Sequence, residues 1–206
     1  MTIEKGREWG HRGLCPQQVQ ILTSDCDVAT MWATSPHTVF VVQGGDAHTA
    51  LGRPTWNAPT EVQYLPFDML QVTISLRVND TEQKREMYAL SSVEIGSWLS
   101  RKRYVCVSNC GFIGSYNIAP RAHPNDGEMD VVTIGADMDW RQRLQARSRA
   151  RLGQHVPHPH ISMERGTSSE WTRQSAREQL AIDGVEIRHW SAVRVDVIAD
   201  ACTVVV

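Results

Sequence analysis

The sequence predicts an α+β protein that is mainly β, in which a small β-α-β unit precedes a β-sandwich or barrel. The pattern of the chain changes near residue 55, where a proline-bearing stretch at 53–59 predicts a linker between units 1–55 and 60–206. The second unit contains many short apolar segments separated by turn residues, which is typical of a sandwich. At 206 residues the chain is long enough for about one or two domains with a sizeable core.

The first unit contains one strand-helix-strand pattern. A short apolar strand at 19–22 leads to a helix capped by Ser24 or Asp25, and a β-branched strand follows at 38–42. This strand ends in Gly44-Gly45, where the backbone can turn sharply and a following helix would present free amide groups. Such a place suits a phosphate.

The second unit is predicted to contain a series of strands and one helix. Polar and apolar residues alternate over 72–78, Asn79-Asp80 favours a turn, and 87–95 is the expected partner strand. Residues 140–152 are rich in Arg and Leu and follow two aspartates, as the start of a helix prefers. The other predicted strands are 104–108, 129–134, 161–164, 171–174, 184–188 and 193–198.

Composition argues against nucleic acid and anionic membranes as general partners. The net charge is −2, with 41% hydrophobic and 21% charged residues, so no overall positive field exists. Five cysteines are an odd number in no zinc-type spacing. Neither a signal peptide nor an apolar run of about 18 residues is present. We therefore expect a soluble, reduced, cytoplasmic protein with no transmembrane segment and no nucleic acid partner.

Four ordered segments carry a resemblance to a known family. They are VCVSNCGFIGSYNIAPRAHPNDGEMDVVTI (105–134), HVPHPHI (155–161), AIDGVEI (181–187) and the closing VRVDVIADACTVVV. Together they resemble the C-terminal β-sandwich domain of the diacylglycerol kinase, sphingosine kinase and bacterial lipid kinase superfamily. The resemblance implies a lipid-kinase-like sandwich over 60–206, behind a truncated remnant of a nucleotide-binding domain.

The stretch Gly44-Gly45-Asp46-x-x-Thr49 resembles the Gly-Gly-Asp-Gly-Thr nucleotide loop of this family. The resemblance implies that Gly44, Gly45, Asp46 and Thr49 contact ATP. Ala47-His48 depart from the loop, because one glycine is lost and one residue is inserted before the threonine. One β-α-β unit is also too little for a complete doubly wound nucleotide domain. The alternative is a strand-to-helix turn kept for packing.

The resemblance places the catalytic base at the third position of Asp183-Gly184-x, where a carboxylate takes the proton from the attacking hydroxyl. Here that position is Val185, which cannot accept a proton. Glu186 follows, but a shift of one residue turns a side chain to the opposite face of a strand unless a bulge intervenes. Asp183 and Glu186 are the candidate catalytic residues.

The turn Asn125-Asp126-Gly127 leads into a predicted strand, with further carboxylates at Glu128 and Asp130. The resemblance implies a structural Mg²⁺ here, held by the side chain of Asp126, by the backbone carbonyls of His123 and Glu128, and by water. The alternative is that this segment is only a favourable turn before a strand.

Two further patterns have open interpretations. The arginines of the 140–152 helix could contact a lipid phosphate or an anionic membrane, or they could form a solvated face. Histidines at 155, 158 and 160 are close enough in sequence to hold zinc, whereas the resemblance favours a histidine bonded to backbone at the start of a strand.

Two functions remain open at this point. The first is a diverged, lipid-kinase-like protein that lacks autonomous kinase activity and acts by binding a lipid or other amphipathic ligand, or as a regulator. The second is an active ATP-dependent lipid kinase whose site is completed by Asp46, Asp126 and Glu186, with a second copy of the chain contributing. A homodimer is expected, because a truncated first unit leaves a sandwich face uncovered.

Overall fold

The computed structural model describes residues 8–78 and 81–206, and within these residues it contains three helices and fifteen strands. The helices are α1 (Asp25–Thr34), α2 (Gly45–Ala50) and α3 (Trp140–Ala150). The strands are β1 (His11–Leu14), β2 (Gln20–Leu22), β3 (Val39–Val42), β4 (Glu61–Val78), β5 (Thr81–Ala89), β6 (Ser92–Ile95), β7 (Tyr104–Ser108), β8 (Phe112–Ile113), β9 (Tyr116–Asn117), β10 (Met129–Ile134), β11 (Ile161–Gly166), β12 (Ser168–Thr172), β13 (Leu180–Ile182), β14 (Val185–Ile187) and β15 (Trp190–Val205).

Two long antiparallel strands, β4 and β15, form the centre of a seven-stranded sheet. The order along this sheet is β1-β4-β15-β3-β2, and β5 and β12 pair with β4 and β15 at their other ends. Strand β3 runs parallel to the C-terminal end of β15. The β-α-β unit and the sandwich therefore share one continuous sheet.

A second, six-stranded sheet has the order β11-β10-β7-β6-β13-β14, and β8 and β9 form a separate hairpin. The two large sheets enclose an apolar core to which β4 contributes Leu70, Val72 and Ile74 and the second sheet contributes Val93 and Val107. Since side chains alternate along a strand, the other side chains of the second sheet point away from this core. That outward face carries the candidate site.

The helices cover the outer faces of the two sheets. Helix α1 starts at the N-cap Ser24, whose hydroxyl accepts the amide proton of Asp27 at 3.1 Å, and it packs Val28 against the first sheet. Helix α3 starts at Asp139, which forms a capping box with Gln142. Ala146 of this helix packs against the outward face of the second sheet.

The predicted fold class is confirmed, with two corrections to the strands. The segment 87–95 was expected to be one strand, but the chain bends after Ala89 and enters the other sheet at Ser92. Residues 61–71 belong to β4, although Pro66 and Asp68 interrupt their apolar pattern. The turn predicted at Asn79-Asp80 lies outside the described residues.

The linker predicted at 53–59 lies between α2 and β4, in a stretch without helix or strand. Strands from both sides of it pair within the seven-stranded sheet, so the division into 1–55 and 60–206 stays a prediction about domains. None of the helices in the described part of the chain is both long and apolar enough to span a bilayer.

Candidate functional site

The Gly44-Gly45 loop connects β3 to α2 and lies against the start of α1. The backbone of Gly45 has φ +81°, in the left-handed region that favours glycine. A Cβ atom there would lie 2.4 Å from Oδ1 of Asp25, and one on Gly44 would lie 2.1 Å from the carbonyl oxygen of Thr23. Both glycines are therefore required by close packing, whatever else the loop does.

The carboxylate of Asp25 accepts hydrogen bonds from the amide groups at the start of α2. It accepts the amide proton of Asp46 at 2.6 Å and that of Ala47 at 3.3 Å. The hydroxyl of Thr49 donates to the carbonyl oxygen of Gly45 at 3.1 Å. The amide groups of Asp46 and Ala47 and the hydroxyl of Thr49 thus have partners within the protein.

Asp46 lies half-buried beside the β8–β9 hairpin and accepts the amide proton of Gly114 at 2.6 Å. Burial raises the pKa of Asp46 to about 6, and the charges of Asp183 and Glu94 add to the rise while the bond from Gly114 opposes it. Asp46 therefore changes its protonation state near pH 6, closer to neutral pH than an exposed carboxylate does.

Asp183 connects the β13–β14 turn by hydrogen bonds to the bend between β5 and β6. Its carboxylate accepts the amide protons of Leu90 at 2.8 Å, Ser91 at 3.0 Å and Ser92 at 2.9 Å, and the Ser91 hydroxyl at 3.0 Å. Burial raises the pKa of Asp183, and these bonds oppose the rise. The charge of Asp183 in turn raises the pKa of Asp25, after burial, to about 7. The structure thus brings Asp25, Asp46 and Asp183 together.

Val185 and Glu186 lie on β14, the edge strand of the second sheet. The pairing of β13 with β14 is regular, with Ala181 opposite Glu186, so no bulge turns the Glu186 side chain inward. Glu186 is exposed and lies 4.0 Å from the guanidinium of Arg188. Its role as a catalytic base stays a prediction, and its surroundings are those of a surface ion pair.

Sequence reasoning missed Glu94, which lies on the outward face of β6 opposite Cys106 of β7. The hydroxyl of Tyr104 donates to Oε2 of Glu94 at 2.5 Å. Burial raises the pKa of Tyr104 well above its usual value, so this phenol stays a donor. A charge within the short strand 92–95, between two buried apolar residues, is the signal that could have revealed it.

Glu94 and Gly114 line a cavity of about 420 Å³ between the second sheet, the β8–β9 hairpin and α3. Oε1 of Glu94 accepts no hydrogen bond from residues 8–78 or 81–206. Most of the wall is apolar or aromatic, and Arg147 is its one cationic side chain among the described residues. The other lining residues are Gly96, Ser97, Trp98, Leu99, Tyr104, Ile113, Tyr116, Ile118 and Gln179.

The Asn125-Asp126-Gly127 turn is fixed to both central strands of the first sheet. Asp68 of β4 accepts the amide proton of Gly127 at 2.7 Å and that of Asp200 of β15 at 2.8 Å. The fully buried amide of Asn125 donates to Asp68 at 3.2 Å and to Asp200 at 2.9 Å. The turn therefore has a structural role in joining the two sheets.

Arg165 of β11 explains why three carboxylates surround this turn. Its guanidinium donates to Asp126, lies 3.1 Å from Glu128 and lies 3.7 Å from Asp130. Burial raises the pKa of Asp130 to about 6, and Arg165 opposes this rise. Because the carboxylates converge on one guanidinium, part of their negative charge is offset within the protein.

This arrangement does not fit a magnesium ion centred on Asp126. One carboxylate oxygen accepts the amide proton of Glu128 at 3.1 Å, and the other is paired with Arg165. The described residues contain no group of three or more His, Cys, Asp or Glu placed to hold a metal. A magnesium ion held by Asp126 and the carbonyls of His123 and Glu128 would have to displace the guanidinium, and it stays a prediction.

Replacement of Arg165 by methionine is expected to lower the free energy of unfolding by about 1–2 kcal/mol, because three carboxylates then repel one another without the guanidinium that pairs with them. Urea unfolding of Arg165→Met should recover on addition of MgCl₂, whereas the wild type should unfold identically in MgCl₂ and EDTA. Arg194→Met, which removes an arginine from the pair with Asp196, is the control without a magnesium response. Loss of wild-type stability in EDTA would support the magnesium prediction instead.

The three histidines of 155–160 have separate environments. His155 is buried, with Nε2 3.0 Å from the carbonyl oxygen of Ile118, as expected for a histidine bonded to backbone. His160 lies 2.8 Å from the carboxylate of Asp137, and its ring centre is 5.6 Å from that of His158. These contacts account for the histidines without zinc.

Solved structures resemble this fold at low sequence identity. A Bacillus anthracis str. Sterne structure assigned to the diacylglycerol kinases superposes with a TM-score of 0.57 and 11% identity, covering 89% of this chain and 83% of that one. A second diacylglycerol kinase structure from the same organism gives 0.53 and 11%, covering 87% and 80%. Yeast NADH kinase, solved with NADH, gives 0.54 and 8%, covering 91% of this chain and 60% of that one.

A family model extends this likeness from fold to family. No curated protein matches the chain in a sequence search. The model described as the YegS C-terminal NAD kinase beta sandwich-like domain matches residues 71–206, which is more than half of the chain. The suspected relationship to the diacylglycerol kinases is thereby confirmed at the level of fold. The chain belongs to the YegS C-terminal NAD kinase beta sandwich-like family, and it has the kinase-like fold shared by diacylglycerol and NAD kinases.

Proposed function

We propose that this protein is a diverged relative of the diacylglycerol kinases that binds an amphipathic small molecule and has no autonomous kinase activity. The observation that carries this proposal is the position of Asp25. Its carboxylate bonds to the amide groups of Asp46 and Ala47, which a helix N-terminus would otherwise offer to a phosphate. A carboxyl group of the protein itself therefore already takes the amide groups that a nucleotide phosphate would need.

Electrostatics supports the same conclusion. Burial raises the pKa values of Asp25 and Asp46, and the charge of Asp183 raises both further, so negative charge is already unfavourable in this region. A nucleotide phosphate would add further negative charge to this region. Without a cation to compensate, repulsion disfavours its binding.

The Glu94 cavity supports binding of an amphipathic ligand. Its apolar and aromatic wall suits an acyl or alkyl chain, and its volume of about 420 Å³ is within the usual range for small-molecule sites. Tyr104 holds Oε2 of Glu94, which orients the carboxylate and leaves Oε1 for a ligand. A hydroxyl or ammonium group is the chemistry that a carboxylate recognises.

Calorimetric titration of the pure protein tests this function. We expect no heat of binding from ATP, with or without MgCl₂, and saturable binding of a monoacylglycerol or a long-chain amine below its micelle concentration. Glu94→Gln should weaken the amine roughly tenfold or more, since a charge-assisted bond becomes neutral. Glu186→Gln on the exposed edge strand is the matched control and should bind as the wild type does.

Asp25→Ala tests whether Asp25 is what prevents ATP binding, because this substitution frees the amide groups of Asp46 and Ala47. We expect this variant to gain weak ATP binding in the presence of magnesium. Micromolar ATP binding by the wild type that disappears in Asp46→Ala would contradict the proposal.

A second candidate is an active lipid kinase, and the state of Asp46 favours it. A carboxylate with a pKa of about 6 beside a ligand cavity is suited to accept a proton from a substrate hydroxyl.

Under this candidate a homodimer would supply the missing nucleotide contacts, and exposed Leu14 and Ile21 on β1 and β2 support an apolar contact between copies. ATP-dependent phosphorylation of a monoacylglycerol, lost in Asp46→Asn, would establish this candidate and exclude the first. Light scattering that gives a monomer at all concentrations would exclude the dimer.

A further inference from the structure

Helix α3 exposes large apolar side chains to solvent. Trp140 is 49% exposed and Leu144 is 47% exposed, and they lie four residues apart, on one face of the helix. The opposite face packs Ala146 and Ala150 against the protein. Leu152, just after the helix, is 74% exposed. A tryptophan and leucines are costly to leave in water, so this face is a candidate contact surface.

The rest of the solvent-exposed surface of α3 is positively charged. The segment 140–152 contains no aspartate or glutamate, and Arg141, Arg149 and Arg151 are exposed. The acidic residue next to it, Asp139, uses its carboxylate to cap the helix. A solvated helix usually mixes charges of both signs in pairs three or four residues apart. Here the arginines have no such partners within the helix, in a chain whose net charge is −2.

The helix also adjoins the mouth of the Glu94 cavity. Arg147 of α3 lines the cavity, and its guanidinium lies 4.9 Å from the ring centre of Tyr116, another lining residue. Arg151 lies 5.7 Å from the same ring. Leu99, which lines the cavity on another side, is 45% exposed. Exposed apolar groups and arginines therefore surround the opening.

We propose that the exposed face of α3 docks on an anionic lipid bilayer. Trp140 and Leu144 insert at the level of the lipid headgroups, and Arg141, Arg149 and Arg151 contact the lipid phosphates. The cavity then opens toward the bilayer, so an amphipathic ligand can enter without crossing water. The docking surface is defined by these five residues and does not depend on whether the protein is a kinase.

Charge complementarity selects this occupant. An interfacial helix combines Trp and Leu with a basic polar face, and its binding depends on anionic lipid. Each arginine near an anionic surface strengthens binding by about fivefold at moderate salt. Three arginines therefore contribute on the order of a hundredfold, which is lost as salt screens the surface.

Co-sedimentation with lipid vesicles tests the proposal. The wild-type protein should bind vesicles of phosphatidylcholine mixed with phosphatidylglycerol, should not bind phosphatidylcholine alone, and should be released by added NaCl. Arg141→Gln/Arg149→Gln/Arg151→Gln should lose on the order of a hundredfold in affinity. Trp140→Ser/Leu144→Ser should lose about tenfold or more at unchanged charge.

A matched control separates docking from general attraction. Arg12→Gln/Lys84→Gln/Arg85→Gln removes the same charge from exposed positions on β1 and β5, and it should bind as the wild type does. All altered side chains of α3 are exposed, so each variant should retain the wild-type unfolding curve. The proposal is overturned if the wild-type protein does not bind anionic vesicles, which is the result expected if a protein covers α3 instead. It is equally overturned if the control triple variant loses as much affinity as the α3 triple variant.

Discussion

Replacing Arg143 with methionine is expected to lower the free energy of unfolding by about 4 kcal/mol, which is a large part of the stability of a single domain. Arg143 of α3 is fully buried. Its guanidinium donates to the carbonyl oxygens of Met138 at 3.0 Å, Trp98 at 3.0 Å, Lys102 at 2.9 Å and Gly135 at 2.5 Å.

The size of this effect follows from what the substitution leaves behind. Methionine fills much of the same volume but donates no hydrogen bond, so four backbone carbonyls lose the bond from Arg143, and among them Gly135 keeps only the longer bond from the amide of Met138 at 3.4 Å. Buried polar groups without a partner cost about 1–3 kcal/mol each, although water entering the gap compensates for part of the loss. Arg143 also joins α3 to the 98–102 loop of the second sheet, so its removal loosens one side of the Glu94 cavity.

Urea unfolding followed by circular dichroism measures this effect. Arg141→Met, two residues away on the exposed face of the same helix, is the control and should unfold with the wild-type midpoint. Equal midpoints for Arg143→Met and Arg141→Met would show that the four hydrogen bonds contribute nothing to stability.

Asp25→Asn is expected to stabilise the protein at pH 8 by about 2 kcal/mol and to leave its stability at pH 4 nearly unchanged. Burial raises the pKa of Asp25 to about 7, above its usual value of 3.8. The folded protein therefore binds a proton that the unfolded chain releases, and its stability falls as pH rises from about 4 to 7. Asparagine remains neutral and still accepts the amide protons from α2, so that loss does not occur.

Comparison with the wild type is needed because other groups titrate in the same range. Asp46 and Asp130 have pKa values of about 6, so their ionisation also lowers the stability of the protein as pH rises. Burial lowers the pKa of His123 and His155, so their protonation lowers the stability of the protein as pH falls. This effect opposes the loss of stability with rising pH that the aspartates cause. The difference between wild type and Asp25→Asn removes these contributions.

The measurement is urea unfolding of both proteins at several pH values from 4 to 8. The two stability curves should meet near pH 4 and separate progressively toward pH 8. Asp27→Asn, on the exposed side of the same helix, is the control and should follow the wild-type curve. Parallel curves for wild type and Asp25→Asn would show that Asp25 is ionised throughout the range.

The fold could be predicted from the sequence where burial acts on neighbouring residues. Strands β7 and β10 are buried on both faces, so 104–108 and 129–134 are almost continuously apolar and were predicted with correct bounds. The start of β4 was missed, because Asp68 is buried among its apolar residues and is satisfied by partners far along the chain.

The site could be predicted less completely. The glycine loop and Asp183 were found from the family resemblance, and the structure brings Asp46 and Asp183 together. The partners that decide their chemistry were not found. Asp25 bonds to Asp46 from 21 residues away, and Arg165 pairs with Asp126 from 39 residues away. Neither separation leaves a periodic pattern in the sequence.

By itself the sequence determined the mainly β composition and the family, because local burial and turn residues impose patterns on neighbouring positions. Only the tertiary structure decided that an aspartate accepts the amide protons of the loop, that one arginine pairs with the three carboxylates near Gly127, and that Glu94 faces a cavity. These outcomes depend on which side chains meet across strands and helices. Long-range contacts satisfy charges and hydrogen bonds pair by pair, and that pairing exists only once the chain is folded.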